Sequence, residues 1–363
     1  MTELNNLCVD VVIIGAGIGG LAAARELTGR GLSIAVLEAR GRIGGRVFSD
    51  SEYGLDLGAT WYWPNEPRIT KLVSELGVET FPQYIAGDVI YEATSGVERT
   101  QGNPIDVYSS RFTHGAQSLA QALADELPPE VIRLGCPVTR IQSTAQDIKA
   151  FTRSAVCSAQ HVIVAVPPAL AVSSIKFNPA LPEKLFEVAK ITPVWMGAIT
   201  KAVAIYSEPF WRNDGLAGSA ISYIGPIREV HDMSGPDGVP AALFGFAPSA
   251  GVRQPTVSTE MVLRQLTVLF GPKAAHPEKL FIHDWRHEDF TSPPSVVRLI
   301  AYHTFGHLAY ASPTMDGRLH WASTETAPES PGHIEGALAA AERAANAVIK
   351  AVSNSPKVKS QSL

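Results

Sequence analysis

The chain has 363 residues, of which 45% are apolar and 18% are charged, so it is long enough for two domains with separate cores. These values exclude a disordered, fibrous or disulfide-dense protein. The formal net charge is −5 without a long run of lysine or arginine, which argues against nucleic acid and an anionic membrane surface as partners. No stretch approaches the ~20 apolar residues of a membrane helix. We therefore expect a cytoplasmic protein that binds neither nucleic acid nor a membrane.

The first clear pattern is a strand, a helix and a second strand near the N-terminus. Residues 9–14 form a β-branched run, which predicts a buried parallel strand. A helix-like pattern runs from Leu21 to about Arg30, Gly31 ends it, and residues 33–38 predict the second strand. Together these segments predict a βαβ unit.

Three glycines join the first strand to the helix, and each has a physical role in a dinucleotide site. Gly15 permits the tight turn, Gly17 lets the backbone approach a pyrophosphate, and Gly20 lets helix and strand pack closely. Glu38, at the end of the second strand, is placed to accept hydrogen bonds from ribose hydroxyls. Such glycines alone often mark only a turn, but strand, helix and acid in register favour a dinucleotide. The βαβ unit by itself leaves FAD and NAD open.

A basic, glycine-rich segment follows the acid. Residues 39–46 contain three arginines, of which Arg42 and Arg46 are able to reach phosphate, while Gly44 and Gly45 allow close backbone approach. A solvated basic turn is the alternative. This segment favours FAD over NAD.

The three cysteines, Cys8, Cys136 and Cys157, lack the spacing of metal ligands, and their odd number suits a reducing compartment. We predict buried, unreactive thiols and no metal site.

Several motifs together resemble the flavin-containing amine oxidases, a family that includes monoamine, polyamine and L-amino-acid oxidases. They are spread over most of the chain: Val11–Leu21, Leu37–Arg46, Leu57–Trp61, Ile199–Val203, Trp321–Thr326 and Pro331–Leu338. The resemblance implies FAD as cofactor. It also implies oxidation of the C–N bond of an amine or amino-acid-derived metabolite, with hydride transfer to flavin and reoxidation by dioxygen to hydrogen peroxide. The implied partners are thus a small-molecule substrate and dioxygen, and a homodimer is left open.

The resemblance also implies which residues surround the cofactor. Besides Gly15, Gly17 and Gly20, those expected near the nucleotide or its phosphates are Glu38, Arg40, Arg46, Ala59 and Val138. Those expected near the ribityl chain and isoalloxazine are Thr324, Glu325 and Ile334.

Three residues are the catalytic candidates. Lys201 lies in an apolar, strand-like stretch, where a charge is costly without a partner, and it matches a family lysine that holds a water beside the reactive flavin nitrogen. The alternative is an outward-facing strand lysine. Trp285 matches a family tryptophan that lies against the flavin ring, with a core aromatic as the alternative. His333 stands where the family faces substrate, although a lone histidine is often structural.

The sequence departs from the family in three ways. A helical insertion that normally precedes residue 111 is largely missing, which leaves a wider pocket. The family cysteine that attaches flavin covalently has no counterpart in residues 294–302, so we expect noncovalent FAD. The paired aromatic rings of the family are replaced near Leu299 and at His333.

The predicted fold class is α/β (α+β overall), with a Rossmann-like FAD-binding domain and a second, sheet-based substrate domain. The FAD-binding domain is predicted to comprise residues 1–78, 111–168 and 306–352, the substrate domain residues 79–110 and 169–305, and a flexible tail residues 353–363. Two other functions stay open: a flavin-dependent desaturase or oxidative tailoring enzyme of a larger metabolite, and a non-catalytic flavin-binding partner protein. Lys201 and Trp285 argue against the second.

Overall fold

The computed structural model describes residues 7–248, 257–293 and 301–354. Its strands, in chain order, are β1 (Leu7–Ile14), β2 (Ile34–Leu37), β3 (Thr80–Pro82), β4 (Asp88–Ala93), β5 (Gly96–Thr100), β6 (Ser110–Phe112), β7 (Ile132–Arg133), β8 (Arg140–Ser143), β9 (Ile148–Phe151), β10 (Val156–Val164), β11 (Lys176–Asn178), β12 (Ile199–Tyr206), β13 (Leu216–Ser222), β14 (Glu229–Asp232), β15 (Ala241–Pro248), β16 (Lys279–Asp284) and β17 (Leu319–Trp321). Its α-helices are α1 (Ile18–Gly29), α2 (Pro67–Leu76), α3 (Gln117–Asp125), α4 (Pro168–Ser174), α5 (Glu183–Ile191), α6 (Phe210–Asn213), α7 (Thr259–Phe270) and α8 (Ile334–Asn354).

The chain divides into two compact units. Unit 1 comprises Met1–Gly45, Ala120–Thr192 and Ala301–Leu363, and unit 2 comprises Arg46–Leu119 and Pro193–Ile300. Residues 46–78, which the sequence assigned to the FAD-binding domain, cluster with unit 2 because Leu55 and Leu57 join its core. Residues 169–192 cluster with unit 1 because Leu185 and Ala189 join the core there. The functional division of the chain stays a prediction.

Unit 1 contains a mixed sheet whose order is β11-β8-β9-β10-β1-β2-β7, with β17 beside β10. The strands β10, β1, β2 and β7 run parallel to one another, as βαβ connectivity requires, whereas β9 pairs antiparallel with β10. The last four residues of β1 and all of β2 are buried, since a parallel sheet is covered on both faces. The predicted βαβ unit is therefore confirmed.

Two details of this unit differ from the sequence prediction. Helix α1 begins at Ile18 rather than at Leu21, because its glycine-rich first turn is already helical and the amide of Leu21 donates to the carbonyl of Gly17. Cys8 is exposed, because the first residues of β1 extend beyond the buried part of the sheet, whereas Cys136 and Cys157 are buried. The prediction of buried thiols is thus wrong for Cys8.

Unit 2 contains a sheet with the order β16-β12-β15-β14-β13-β4-β5 and a separate pair, β3 and β6. All eight residues of β12 are buried. Its side chains alternate between two cores: Ala202, Ala204 and Tyr206 join one cluster, whereas Val203 and Ile205 join the other. Because both faces are covered, residues 202–206 of this strand are all apolar.

Helix α2 begins at Pro67, and Gly77 ends it in the left-handed conformation with φ 63°. In the part of the chain that the structure describes, no helix is both long enough and apolar enough to cross a membrane.

Candidate functional site

The turn between β1 and α1 has the backbone that the glycine pattern predicts. Gly15 has φ +100°, and a Cβ on Gly20 would lie 1.9 Å from the carbonyl oxygen of Gly15. Gly20 is therefore required by packing. A Cβ on Gly17 would meet only the Gly44 carbonyl oxygen, at 3.9 Å, so the backbone of Gly17 is open to approach. Gly17 is also the N-cap of α1 and has no side-chain cap among the described residues, which suits a phosphate at the helix N-terminus.

Glu38 organises this turn from the end of β2. Its Oε2 accepts a hydrogen bond from the amide of Ala16 at 2.7 Å, and its Oε1 accepts one from the amide of Arg40 at 2.8 Å. An ionised carboxylate offers about four acceptor sites, so Glu38 keeps capacity for two ribose hydroxyls. The carbonyls of Glu38 and Arg40 accept hydrogen bonds from Cys136 and Gly135.

The next segment folds back onto the turn. The amide of Gly44 donates to the Ala16 carbonyl at 2.9 Å, and Gly44 forms a β-bridge with Gly17. The Nη1 atom of Arg42 donates to the Gly45 carbonyl at 2.9 Å, so this guanidinium braces the loop. Val138 is buried in the core of unit 1.

Residues 321–326, also in unit 1, lie next to the turn between β1 and α1. Their Thr324–Thr326 portion is a short 3-10 helix, and a Cβ on Gly19 would lie 2.5 Å from the carbonyl oxygen of Ala322. The segment therefore packs directly against the first turn of α1. Thr324 Oγ1 accepts from the amide of Gly332 at 2.8 Å and donates to the His333 carbonyl at 2.9 Å, next to the start of α8.

Sequence reasoning missed the residue that fixes this segment. Arg343, on α8, donates to the carbonyls of Trp321 and Thr326 at 3.0 and 2.8 Å. Burial lowers the pKa of its guanidinium. Its position in an alanine-rich helix gave no signal of this role. Unit 1 thus brings the following predicted residues around one turn or its adjoining strands: Gly15, Gly17, Gly20, Glu38, Arg40, Val138, Thr324, Glu325, His333 and Ile334.

These residues fit an FAD nucleotide on structural grounds. The open backbone at Gly17, the helix N-terminus without a side-chain cap and the remaining acceptor sites of Glu38 form a cradle with the donor and acceptor pattern of a dinucleotide.

The remaining predicted residues lie in unit 2, where Arg46 and Ala59 are neighbours. The amide of Ala59 donates to the Arg46 carbonyl at 3.1 Å, and Arg46 Nη1 donates to the Trp195 carbonyl at 3.2 Å.

Lys201 is fully buried, so the alternative of an outward-facing strand lysine is wrong. Its Nζ donates to the Gly58 carbonyl at 3.0 Å and to Thr60 Oγ1 at 2.5 Å. The ammonium also lies 4.2 Å from the centre of the Phe244 ring, in a cation–π contact. Burial lowers the pKa of Lys201 to about 7, against the attraction of Asp56.

Sequence reasoning also missed the charged groups near Lys201. Asp56 is buried, and its Oδ1 accepts from Ser49 Oγ and from the amide of Ala116, each at 2.7 Å. Arg111 is buried as well and donates to the carbonyls of Met233 and Ser234. Asp56 precedes the motif 57–61, but nothing local in the sequence marks it as a buried carboxylate that accepts from Ser49 and Ala116.

Trp285 occupies the same unit and has no exposed surface. Its Nε1 donates to the Leu57 carbonyl at 2.8 Å, and the indole packs with Met196 and Ile199. This geometry gives Trp285 a packing role; contact with a flavin ring stays a prediction.

The positions that replace the family aromatic pair differ in their surroundings. His333 is exposed immediately before α8. Leu299 lies outside the described residues. An aromatic cluster nevertheless lies close to Lys201: the Trp61 ring centre is 5.2 Å from that of Phe244 and 6.4 Å from that of Phe246.

A protein-family model described as flavin-containing amine oxidoreductase matches residues 18–113 and 106–349. The chain belongs to this family. The two matches overlap at residues 106–113. The helical insertion of the family that the sequence analysis expects to be largely missing would precede residue 111, in the same region. Together with the site geometry, the family assignment makes the chain an FAD-dependent oxidoreductase of small-molecule amines.

The amine oxidoreductase is similar to a putative flavin-containing monoamine oxidase of Mycobacterium tuberculosis, at 27% identity over 93% of this chain and 96% of the relative. It is 25% identical to a putrescine oxidase of Kocuria rosea, over 94% of this chain and 95% of the relative. The former alignment spans 441 positions, more than the 363 residues of this chain, so it contains gaps in this chain.

Solved structures show the same fold. Putrescine oxidase bound to putrescine has a TM-score of 0.82 at 23% identity, covering 95% of this chain and all of that chain. Cyclohexylamine oxidase from Brevibacterium oxydans IH-35A has a TM-score of 0.83 at 23% identity, covering 95% and 99%. The predicted α/β fold class is confirmed.

Proposed function

We propose that this amine oxidoreductase binds FAD noncovalently and oxidises a bulky amine or amino-acid-derived metabolite whose remote groups orient the reacting carbon. The chemistry that FAD supplies when bound is hydride acceptance from the carbon that bears the nitrogen, followed by return of the electrons to dioxygen. The single observation that carries the proposal is the buried, hydrogen-bonded Lys201 in an aromatic setting within a confirmed member of the family.

The nucleotide is assigned to the unit 1 cradle. Gly17 leaves the backbone open to the pyrophosphate, and Glu38 accepts from the ribose hydroxyls. Thr324, Glu325 and Ile334 are assigned to the ribityl chain and ring. In unit 2, Arg46 and Ala59 are assigned to the phosphates.

Lys201 is assigned to the oxygen half of the reaction. A buried ammonium stabilises negative charge that develops on oxygen during its reduction, because the field of a charge is strong where water is excluded. Its strand and two acceptors hold Nζ in one place. Thus the side chain needs no reorganisation when the charge appears.

The substrate assignment follows from the replaced aromatic pair and the shorter chain. Without a tight cage, a small flexible amine is poorly aligned, and a misplacement of about 1 Å is able to cost ~100-fold in rate. His333, exposed at the start of α8, is assigned to a polar contact with the substrate. A homodimer and a cytoplasmic location remain part of the proposal.

The test begins with the absorbance spectrum of the purified protein and acid precipitation. Noncovalent FAD predicts a flavin spectrum and a colourless pellet, because residues 294–302 contain no cysteine. A yellow pellet would show covalent attachment.

A peroxide assay with simple monoamines, amino acids, polyamines and bulky amines then tests the substrate class. We expect benzylamine and short aliphatic amines to be turned over poorly relative to a bulkier amine. His333→Ala should lower the activity on the bulkier amine by about 10-fold while flavin content stays unchanged. Efficient turnover of simple monoamines would contradict the proposal, as would a His333→Ala variant with full activity.

A further inference from the structure

The large sheet of unit 2 carries Lys201 and a carboxylate on the same face. Lys201 in β12 is paired with Phe246 in β15, and Phe246 is paired in turn with Glu229 in β14. Residues directly opposite each other on paired strands project from the same face of a sheet. Neighbouring strands are about 4.8 Å apart, so the backbones of Lys201 and Glu229 are separated by ~10 Å. A cation, an aromatic ring and a carboxylate therefore form one row across the strands.

This row is buried at its lysine end and open at its glutamate end. Lys201 Nζ is fully buried and lies 5.5 Å from the centre of the Phe246 ring. Phe246 is half-buried, and 45% of the Glu229 side chain is exposed. The half-buried Trp61 ring contacts the same face, with its centre 6.4 Å from that of Phe246 and 5.0 Å from that of His231. An aromatic surface thus leads from the buried ammonium to an accessible carboxylate.

Glu229 is held in place by His231, which lies on the same strand. The His231 ring is buried, with Nε2 2.9 Å from Glu229 Oε1 and Nδ1 2.5 Å from Asp106 Oδ1. Because both ring nitrogens face carboxylate acceptors, both carry a proton and the imidazole is cationic. One imidazolium between two carboxylates leaves one net negative charge. Among the described residues no lysine or arginine forms an ion pair with Glu229, so its remaining acceptor sites are open to a ligand.

Asp106, the second partner of His231, lies in the region where the helical insertion of the family is expected to be largely missing. The amide of Asp106 donates to Asn103 Oδ1 at 3.0 Å, and Asn103 Nδ2 donates to Asp106 Oδ2 at 2.7 Å. The Ser219 hydroxyl donates to the same Oδ2 atom. These bonds fix the Asp106 carboxylate, which anchors His231 and, through it, Glu229.

The two ends of the row favour different forms of an amine. The carbon that gives up hydride needs the lone pair of its nitrogen, so the reacting amine is neutral. The Lys201 ammonium disfavours a second cation beside it, whereas the Glu229 carboxylate attracts one. A molecule with one neutral and one protonated nitrogen is therefore oriented with its protonated nitrogen at Glu229. The rings between the two ends suit an apolar spacer.

We propose that Glu229 is a specificity-determining residue that binds a second, protonated amino group of the substrate, and that His231 and Asp106 are positioning residues that hold its carboxylate. The proposal rests on the amine oxidation proposed above and names the remote group that orients the substrate. The substrate class is then a diamine whose two nitrogens are joined by an apolar spacer.

The test compares α,ω-diaminoalkanes of about four to ten carbons with monoamines of the same length, as kcat/KM of the FAD-loaded protein. In the parent, the best diamine should exceed its matched monoamine by about 10- to 100-fold, because the monoamine forms no charge-assisted hydrogen bond with Glu229. Glu229→Gln should bring this ratio to within about 3-fold of one. Glu98→Gln, which changes an exposed carboxylate on β5 of the same sheet, is the matched control and should leave the ratio unchanged.

Two further variants separate the position of the carboxylate from its charge. Glu229→Asp keeps the charge but shortens the side chain by one methylene, so the preferred diamine should become longer by about one carbon. General loss of structure does not produce such a shift. Asp106→Asn weakens the anchor of His231 and should lower the diamine-to-monoamine ratio by about 3- to 10-fold, mainly through KM. If Asp106→Asn does not fold, Ser219→Ala removes one donor to Asp106 and should lower the ratio by a smaller factor.

Equal ratios in the parent and in Glu229→Gln would overturn the assignment of Glu229, as would a parent that prefers no diamine. An unchanged preferred length in Glu229→Asp would contradict direct contact with the second nitrogen. Oxidation of no amine at all would contradict the proposed function instead. Calorimetric dissociation constants of the same amine pairs, in the FAD-loaded parent and Glu229→Gln, would then decide on Glu229 by the same ratio.

Discussion

The candidate residues of the two units are built by different physical means. In unit 1 the backbone forms the site: glycines without side chains, a helix N-terminus and a carboxylate that binds amides, most of them within residues 15–45. In unit 2 the site is a buried charge on a strand, and the hydroxyl that binds it is 141 residues away in the sequence. A side chain added to a glycine therefore disrupts the unit 1 site, whereas the unit 2 site is disrupted by loss of the charge or of a group that binds it.

The backbone-built site is tested most severely by placing a side chain on its glycines. Gly20→Ala puts a Cβ 1.9 Å from the Gly15 carbonyl oxygen, so the strand and helix must separate. We expect a loss of about 1–3 kcal/mol or more in the free energy of unfolding, measured by denaturant titration. Gly17→Val meets no atom closer than 3.9 Å at its Cβ, so it should leave stability nearly unchanged and instead reduce FAD content.

The two variants control for each other, because one is expected to change stability and the other to change FAD content. If Gly17→Val retained full FAD, the nucleotide would not approach the turn at Gly17. If Gly20→Ala were as stable as the parent, the close packing of β1 and α1 would not be needed for folding.

The charge-built site is tested by Lys201→Met, which keeps the length of the side chain and removes its charge. We expect flavin reoxidation by oxygen to slow by about 100-fold in stopped-flow measurements, while flavin reduction by substrate changes much less. Lys279→Met is a suitable control, because Lys279 lies in the same sheet but at the surface, paired with Glu52. Equal reoxidation rates in the parent and Lys201→Met would make Lys201 a structural lysine.

The same contrast explains what the sequence predicts and what it does not. The βαβ unit was predictable because Gly15, Gly17, Gly20 and Glu38 act through their own backbone or near neighbours. The burial of Lys201 was indicated by the apolar stretch around it. Its hydroxyl acceptor Thr60 and the brace Arg343 were not predictable, because each acts across a tertiary contact that local pattern does not encode.

The smallest expected effect is on the pH dependence of stability, to which one buried histidine in each unit contributes. In unit 1, burial lowers the pKa of His320 to about 3, with nearby His161 adding to the effect. A folded-state pKa below the unfolded value of about 6.5 means that the unfolded chain binds the proton more tightly. The stability contributed by neutral His320 is therefore complete above about pH 6.5 and is lost as the pH falls toward 3.

His231 in unit 2 behaves in the opposite way. Burial lowers its pKa, but hydrogen bonds with Asp106 and Glu229 outweigh burial and raise it above the usual value. The stability contributed by protonated His231 is complete below about pH 6.5 and is lost as the pH rises through the raised pKa.

Thermal midpoints at pH 5, 6.5 and 8 separate the two histidines. Between pH 6.5 and 5 the parent should lose about 1–2 kcal/mol through His320, and His320→Asn should lose less over that interval because no buried imidazole remains to be protonated. His231→Asn should flatten the decline above pH 6.5 and leave the acid side unchanged, since Asp106 then lacks its cationic partner at every pH. A parent and His320→Asn with the same dependence between pH 6.5 and 5 would show that the His161–His320 pair, at 3.3 Å between ring nitrogens, opens to water before it is protonated.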